Sequence, residues 1–132
     1  MKRKCLALFM GVMVLFCGTG ALKVSANTLS PTINGISFSA YSIIDASSAN
    51  AGTVSGSPYL QVSVSSTYTY LNVKNLSMGT IDYGELKDNA DGKQGVTVSF
   101  SAPAYCKSSA ITSNHTAESG TETWSGKTSA AY

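Results

Sequence analysis

The chain has 132 residues, 9 Lys or Arg against 7 Asp or Glu, which is too short for several domains and lacks the clustered cations that grip nucleic-acid phosphate. Its formal charge of +2 misleads, because Lys2, Arg3, Lys4 and Lys23 all fall in the first 23 residues. From Asn27 onward, 106 residues hold five Lys, no Arg and all seven acids, a balance of 5 − 7 = −2.

The amino end has the parts of an export signal in order. Met1 to Lys4 is a basic start, Cys5 to Cys17 is an uncharged apolar run, and Gly18 to Gly20 breaks it. Val24-Ser25-Ala26 then places small residues where a signal peptidase cuts. Thirteen apolar residues span roughly 20 Å as a helix, short of the ~30 Å hydrocarbon core, so a cleaved leader over 1–26 is expected rather than a membrane anchor. Phe16 directly before Cys17 is too bulky for a lipoprotein signal. No later stretch is apolar for a membrane's thickness, so no stable membrane insertion is expected after cleavage. The product is expected to be secreted and extracellular, at or near a cell surface, and the compact basic start points to a bacterium. Of three Cys, Cys106 alone lies beyond the leader, which leaves it without an intrachain partner and makes it a candidate for an interchain disulfide.

Residues 27–35, with Pro31 inside them, read as a loose N-terminal leader before a single domain over 36–132. In that domain, apolar residues recur at every second position. Ile36, Phe38 and Ala40 alternate with Ser37 and Ser39. From Leu60 the even positions are Leu, Val, Val, Ser, Tyr and Tyr, whereas Gln61 to Thr69 are Gln, Ser or Thr at every odd one. Val96, Val98, Phe100 and Ala102 repeat the pattern against Thr97, Ser99 and Ser101. This is the period of a strand with one wet face, and Ser and Thr, 32 of the 106 residues, supply that face. Asp82 to Gly95 reads as a long polar connection. Ser108–Thr116 and Thr121–Ala130 read as a terminal hairpin anchored by Ile111 and Trp124. The fold expected is all-β, a small antiparallel β-sandwich (Ig-like or jelly-roll-like) of about six to eight strands.

The chain is poor in catalytic residue sets. His115 is the only histidine, so an imidazole-based metal site lacks co-ligands, and a hydrogen-bonded or solvent-facing strand histidine is expected. Cys106 and His115 could form a thiolate and base only by a special fold-back. No Gly-x-Ser-x-Gly elbow is present. Lys87 to Gly92 resembles the middle of a calcium loop, but Lys87 takes the first ligand position and Val98 the place of the bidentate Glu. No catalytic residue, cofactor or metal is therefore assigned, and the protein is not expected to be an enzyme. Asn75-Leu76-Ser77 and Asn114-His115-Thr116 are glycan-acceptor triplets. All seven tyrosines lie beyond the leader, and Tyr68 with Tyr70, two apart on one face, is the candidate binding surface, since rings with polar tips suit contact with sugars or protein.

His115, Trp124 and the final Tyr132 make the tail similar to that of small secreted β-sandwich bacteriocins of lactic acid bacteria. The resemblance covers some twenty residues and carries no functional residue over. The expectation is a secreted, non-catalytic protein acting at or near a bacterial surface by binding or assembly. Its partner would be an envelope glycan or protein, and homo-oligomers would form through lightly charged strand edges. The alternative is a bacteriocin-like antimicrobial or toxin-like protein, against which the negative charge counts.

Overall fold

A computed structural model describes residues 24–73, 79 and 82–132. The leader expected over 1–26 therefore falls, apart from its last three residues, outside the described residues, as does the triplet Asn75-Leu76-Ser77. The described chain is all-β, with strands β1 (Ser25–Leu29), β2 (Thr32–Ile33), β3 (Ile36–Ile44), β4 (Ser48–Ser55), β5 (Gln61–Asn72), β6 (Asp82–Lys93), β7 (Gly95–Ser101), β8 (Cys106–Ser119) and β9 (Glu122–Ala131). They form two antiparallel sheets. One has the order β1-β3-β4-β7 with β2 against β3, the other β6-β5-β8-β9. β4 and β7 pair although β5 and β6 intervene in sequence and pair in the other sheet. The chain thus crosses between sheets after β4, after β6 and after β7.

The alternating runs behave as their period dictates. Val62, Val64, Ser66 and Tyr68 of β5 are buried, as are Val98 and Phe100 of β7. On β3, Phe38, Ala40, Ser42 and Ile44 face inward. The terminal hairpin forms between β8 and β9, turning at Gly120, whose φ of 62° suits a glycine. Ile111 is fully buried, whereas Trp124 is half-buried and meets Phe38 edge-on at 5.0 Å. In the β3–β4 turn, Asp45 accepts hydrogen bonds from the Ser47 and Ser48 amides and from the Ser48 hydroxyl, each at 2.8 Å. Partial burial pushes the Asp45 carboxyl up, but these hydrogen bonds prevail and hold it below its ordinary value.

Two segments depart from expectation. Residues 27–35 are not a loose leader: β1 pairs with β3 from Ser25↔Ile44 to Leu29↔Ala40, and β2 turns back on β3 through Asn34 and Gly35. Both of those residues have positive φ, 48° and 72°, the signature of a two-residue hairpin turn. Asp82–Gly95 is not a connection either, because all twelve residues of β6 pair with β5. β6 is an edge strand with little packed against it, so its register comes from the β5 ladder and leaves no apolar alternation to read.

The interior falls into two apolar clusters. One gathers Ile44, Ala49, Ala51, Val64, Tyr68, Val98, Phe100, Ile111 and Ala130, with the Tyr68 and Phe100 rings stacked at 5.4 Å. The other gathers Ile33, Phe38, Leu60, Val62 and Ala117. Both draw residues from the two sheets, which therefore pack face to face.

Candidate functional site

Of the two tyrosines proposed as a surface, the structure exposes neither fully. Tyr68 is 0% exposed. Even positions of β5 are the inward face, so its ring is core, and its hydroxyl is satisfied by Ser108 Oγ at 2.7 Å. Tyr68 thus drops out of any contact surface. Tyr70 follows a bulge: β8 faces Thr69 with Ala110 and Tyr70 with Ser108, so Ser109 is the extra residue. Bulges re-aim side chains. Tyr70 is half-buried and lies across Gly84 of β6, where an added Cβ would run into its ring.

Tyr70 also lines a groove of about 330 Å³ at this end of the molecule. Tyr70 and Asn72 come from β5, Asp82, Tyr83 and Gly84 from β6, and Pro103 and Ala104 from the β7–β8 passage, with Cys106 at the start of β8. That passage is a tight turn in which the Cys106 amide donates to the Pro103 carbonyl at 3.0 Å. Tyr105 takes the left-handed position, φ 63°, where a bulky side chain is strained. The Val73 amide anchors its carbonyl at 2.8 Å, and the residue stays 68% exposed. Tyr83 is 63% exposed. Tyr105 itself is not part of the groove lining, and no spacing in the sequence marks the groove, which is assembled from three separate stretches of chain. Among the described residues lining it, Asp82 brings the one carboxylate. A half-buried free thiol, Cys106, lies at its side.

The other candidate residues lie apart from the groove. His115 is fully buried midway along β8, about 30 Å of strand from Cys106 at ~3.3 Å per residue. The two are not brought together as thiol and base. Instead His115 belongs to a buried seam of hydroxyls between the sheets, where Ser66, Ser113, Ser42, Thr128, His115 and Thr53 form one chain of hydrogen bonds. On β8 this seam separates Ile111 of one apolar cluster from Ala117 of the other.

Donor counting shows a tension within it. Thr53 donates its hydroxyl hydrogen to the Ser63 carbonyl at 2.7 Å, and Ser42 donates to Ser113 at 2.9 Å. With its hydrogen committed, Ser42 accepts from Thr128 at 2.6 Å. Nε2 of His115, 2.7 Å from Thr128, is then the donor there, and Nδ1, 2.8 Å from Thr53, faces a hydroxyl already committed elsewhere. A neutral ring carries one N–H, so the Nδ1 contact must share the Thr53 hydrogen. An imidazolium would satisfy both sides, but burial away from any carboxylate outweighs this and lowers the His115 pKa to about 4. The imidazole is neutral at pH 7 and structural in its contacts.

Asp88 and Asp91, from the calcium-like stretch, are three residues apart on the extended β6 and so project from opposite faces of the sheet. Among the described residues no group of three or more His, Cys, Asp or Glu is assembled, and no helix is long and apolar enough to cross a membrane. Asn114 of the second acceptor triplet is exposed on β8.

No family model matches the chain, and no curated protein matches it. Solved structures of Bacteroides uniformis β-glucuronidase, and of its β-glucuronidase 2 covalently bound to cyclophellitol-6-carboxylate aziridine, align at 14% identity and a TM-score of 0.25. Each alignment covers 82% of this chain and 13% of the other, so the chain spans about an eighth of those proteins. A likeness of that degree carries no argument about activity.

Proposed function

We propose that this is an exported, non-catalytic protein of the β-sandwich class, jelly-roll-like in its crossovers. It acts at or near a bacterial cell surface by holding an envelope glycan in the groove lined by Tyr70, Asp82 and Tyr83. The observation that carries this reading is the exposed Tyr83 beside Asp82 in a groove floored by Tyr70 on Gly84 and walled by Pro103, Ala104 and Cys106. Ring faces accept the C–H faces of a sugar, and a carboxylate and an amide accept or donate to its hydroxyls. A binding role also suits the chemistry: hydrolysis of a glycosidic bond ordinarily takes two carboxylates, and the single imidazole is occupied in the core.

The test is retention of the processed protein on purified bacterial wall glycan. Retention is expected, and Tyr83→Ala or Tyr70→Ala should each weaken it about tenfold, the size of a modest hot spot. Absence of retention, or retention indifferent to both substitutions, would sink the reading.

A further inference from the structure

The two sheets end on four strands, and these are not defended alike. β6 carries Asp82, Glu85, Lys87, Asp88, Asp91 and Lys93, and its Lys87 Nζ lies 3.1 Å from Glu85 Oε1. β9 carries Glu122 and Lys127, and β1 is only five residues long. β7, Gly95–Ser101, has no charge, no proline, and a run of valine, threonine and phenylalanine. Charge, proline and shortness are the usual means of keeping an edge from pairing with another chain; β7 uses none of them.

The hydrogen-bond parity shows which groups it offers. The Ser55 amide donates to the Gln94 carbonyl at 2.7 Å, and the Ala102 amide to the Ser47 carbonyl at 2.8 Å, at the two ends of the β4–β7 ladder. Bonded and non-bonded pairs alternate between antiparallel strands. Val96, Val98 and Phe100 therefore point their peptide groups at β4, and those of Gly95, Thr97, Ser99 and Ser101 point away from it. In the described sheet β7 pairs with β4 alone.

We propose that two copies of this chain pair through β7, antiparallel, with the two-fold axis on Val98. Thr97 of one copy then lies opposite Ser99 of the other, and Gly95 opposite Ser101, so each outward peptide group meets another outward one. The strand is its own complement in this register. Small hydroxyls face one another on the wet side, Val96 faces Phe100 on the inner side, and no like charges are opposed. That self-match is what favours a second copy over a foreign strand. The proposal does not rest on the glycan reading, because it uses no groove residue.

Sedimentation of the processed protein across a dilution series tests it, with circular dichroism checking that each variant keeps its sheet. The wild type should sediment at twice the chain mass. T97K/S99K puts lysine opposite lysine twice and should give a monomer. T97K/S99E puts lysine opposite glutamate and should restore the dimer. A wild-type monomer, a dimer that survives T97K/S99K, or one that T97K/S99E fails to restore would each overturn the proposal; a monomer that binds a synthetic 95–102 peptide would assign the edge to a foreign strand instead.

Discussion

Two parts of one interior are held together on different terms. Around Tyr68, Phe100, Ile44 and Ile111, the sheets meet through apolar area and stacked rings, which are strong but indifferent to small slips. In the seam beside them, Ser42 reaches across to Ser113 and Thr128, and Thr53 to His115, through bonds that each need one donor opposite one acceptor. A one-residue slip of β3 or β4 would turn those hydroxyls to solvent and leave their partners buried and unpaired. The apolar clusters supply cohesion; the seam specifies how one sheet sits on the other. Its members leave no buried side-chain polar atom unpartnered among the described residues, the condition under which a polar network can be tolerated in a core at all.

The sharpest way to break the apolar side is Tyr68→Ala. It removes a fully buried ring from its stack on Phe100 and should cost about 3–5 kcal/mol in urea unfolding. Tyr68→Phe keeps the ring and forfeits only the Ser108 bond, about 1 kcal/mol. Equal costs for the two would mean that the hydroxyl, not the stack, holds this end.

The seam should respond instead to acid. His115 binds its proton at a pKa of about 4 when folded and 6.5 when not. Between those values the unfolded chain holds more protons, so stability falls as pH falls. The contribution is complete above pH 6.5 and is lost on the way down to about pH 4, about 3 kcal/mol in all. His115→Gln should flatten that part of the pH profile. A histidine titrating near 6.5 by NMR in the folded protein would contradict the burial argument.

How far the sequence reveals these regions depends on where the information resides. β5 and β7 are legible because each buries one face, so their own side chains record the sheet. β6 is not, since its place comes from pairing with β5 while Asp88, Asn89 and Lys87 stay in water. The Asn34-Gly35 turn between Ile33 and Ile36 is written plainly, but Pro31 nearby argues for a loose lead-in, and the pairing of Ser25–Leu29 with β3 shows only in three dimensions. The seam is the least legible of all. An inward Ser42 and an outward Ser39 are the same letter, and only the partner across the sheets distinguishes them. The groove suffers likewise: Tyr70, Tyr83 and Pro103 come from separate stretches, and no spacing encodes their meeting.

Ser42→Ala separates the two terms most finely. Simple subtraction removes two hydrogen bonds, those to Ser113 and Thr128. The seam can recover much of this. Ser113 keeps Ser66 at 2.7 Å, and Thr128, no longer donating to Ser42, can turn its hydrogen to His115 Nε2. Nδ1 then carries the proton and donates to Thr53, whose own hydrogen stays on the Ser63 carbonyl. The substitution should therefore cost about 1 kcal/mol, well under the Tyr68→Ala loss. It should also move the His115 proton from Nε2 to Nδ1, which imidazole 15N shifts resolve. A cost matching Tyr68→Ala with the tautomer unchanged would mean that the seam cannot rewire, and that its bonds hold the sheets as firmly as the rings do.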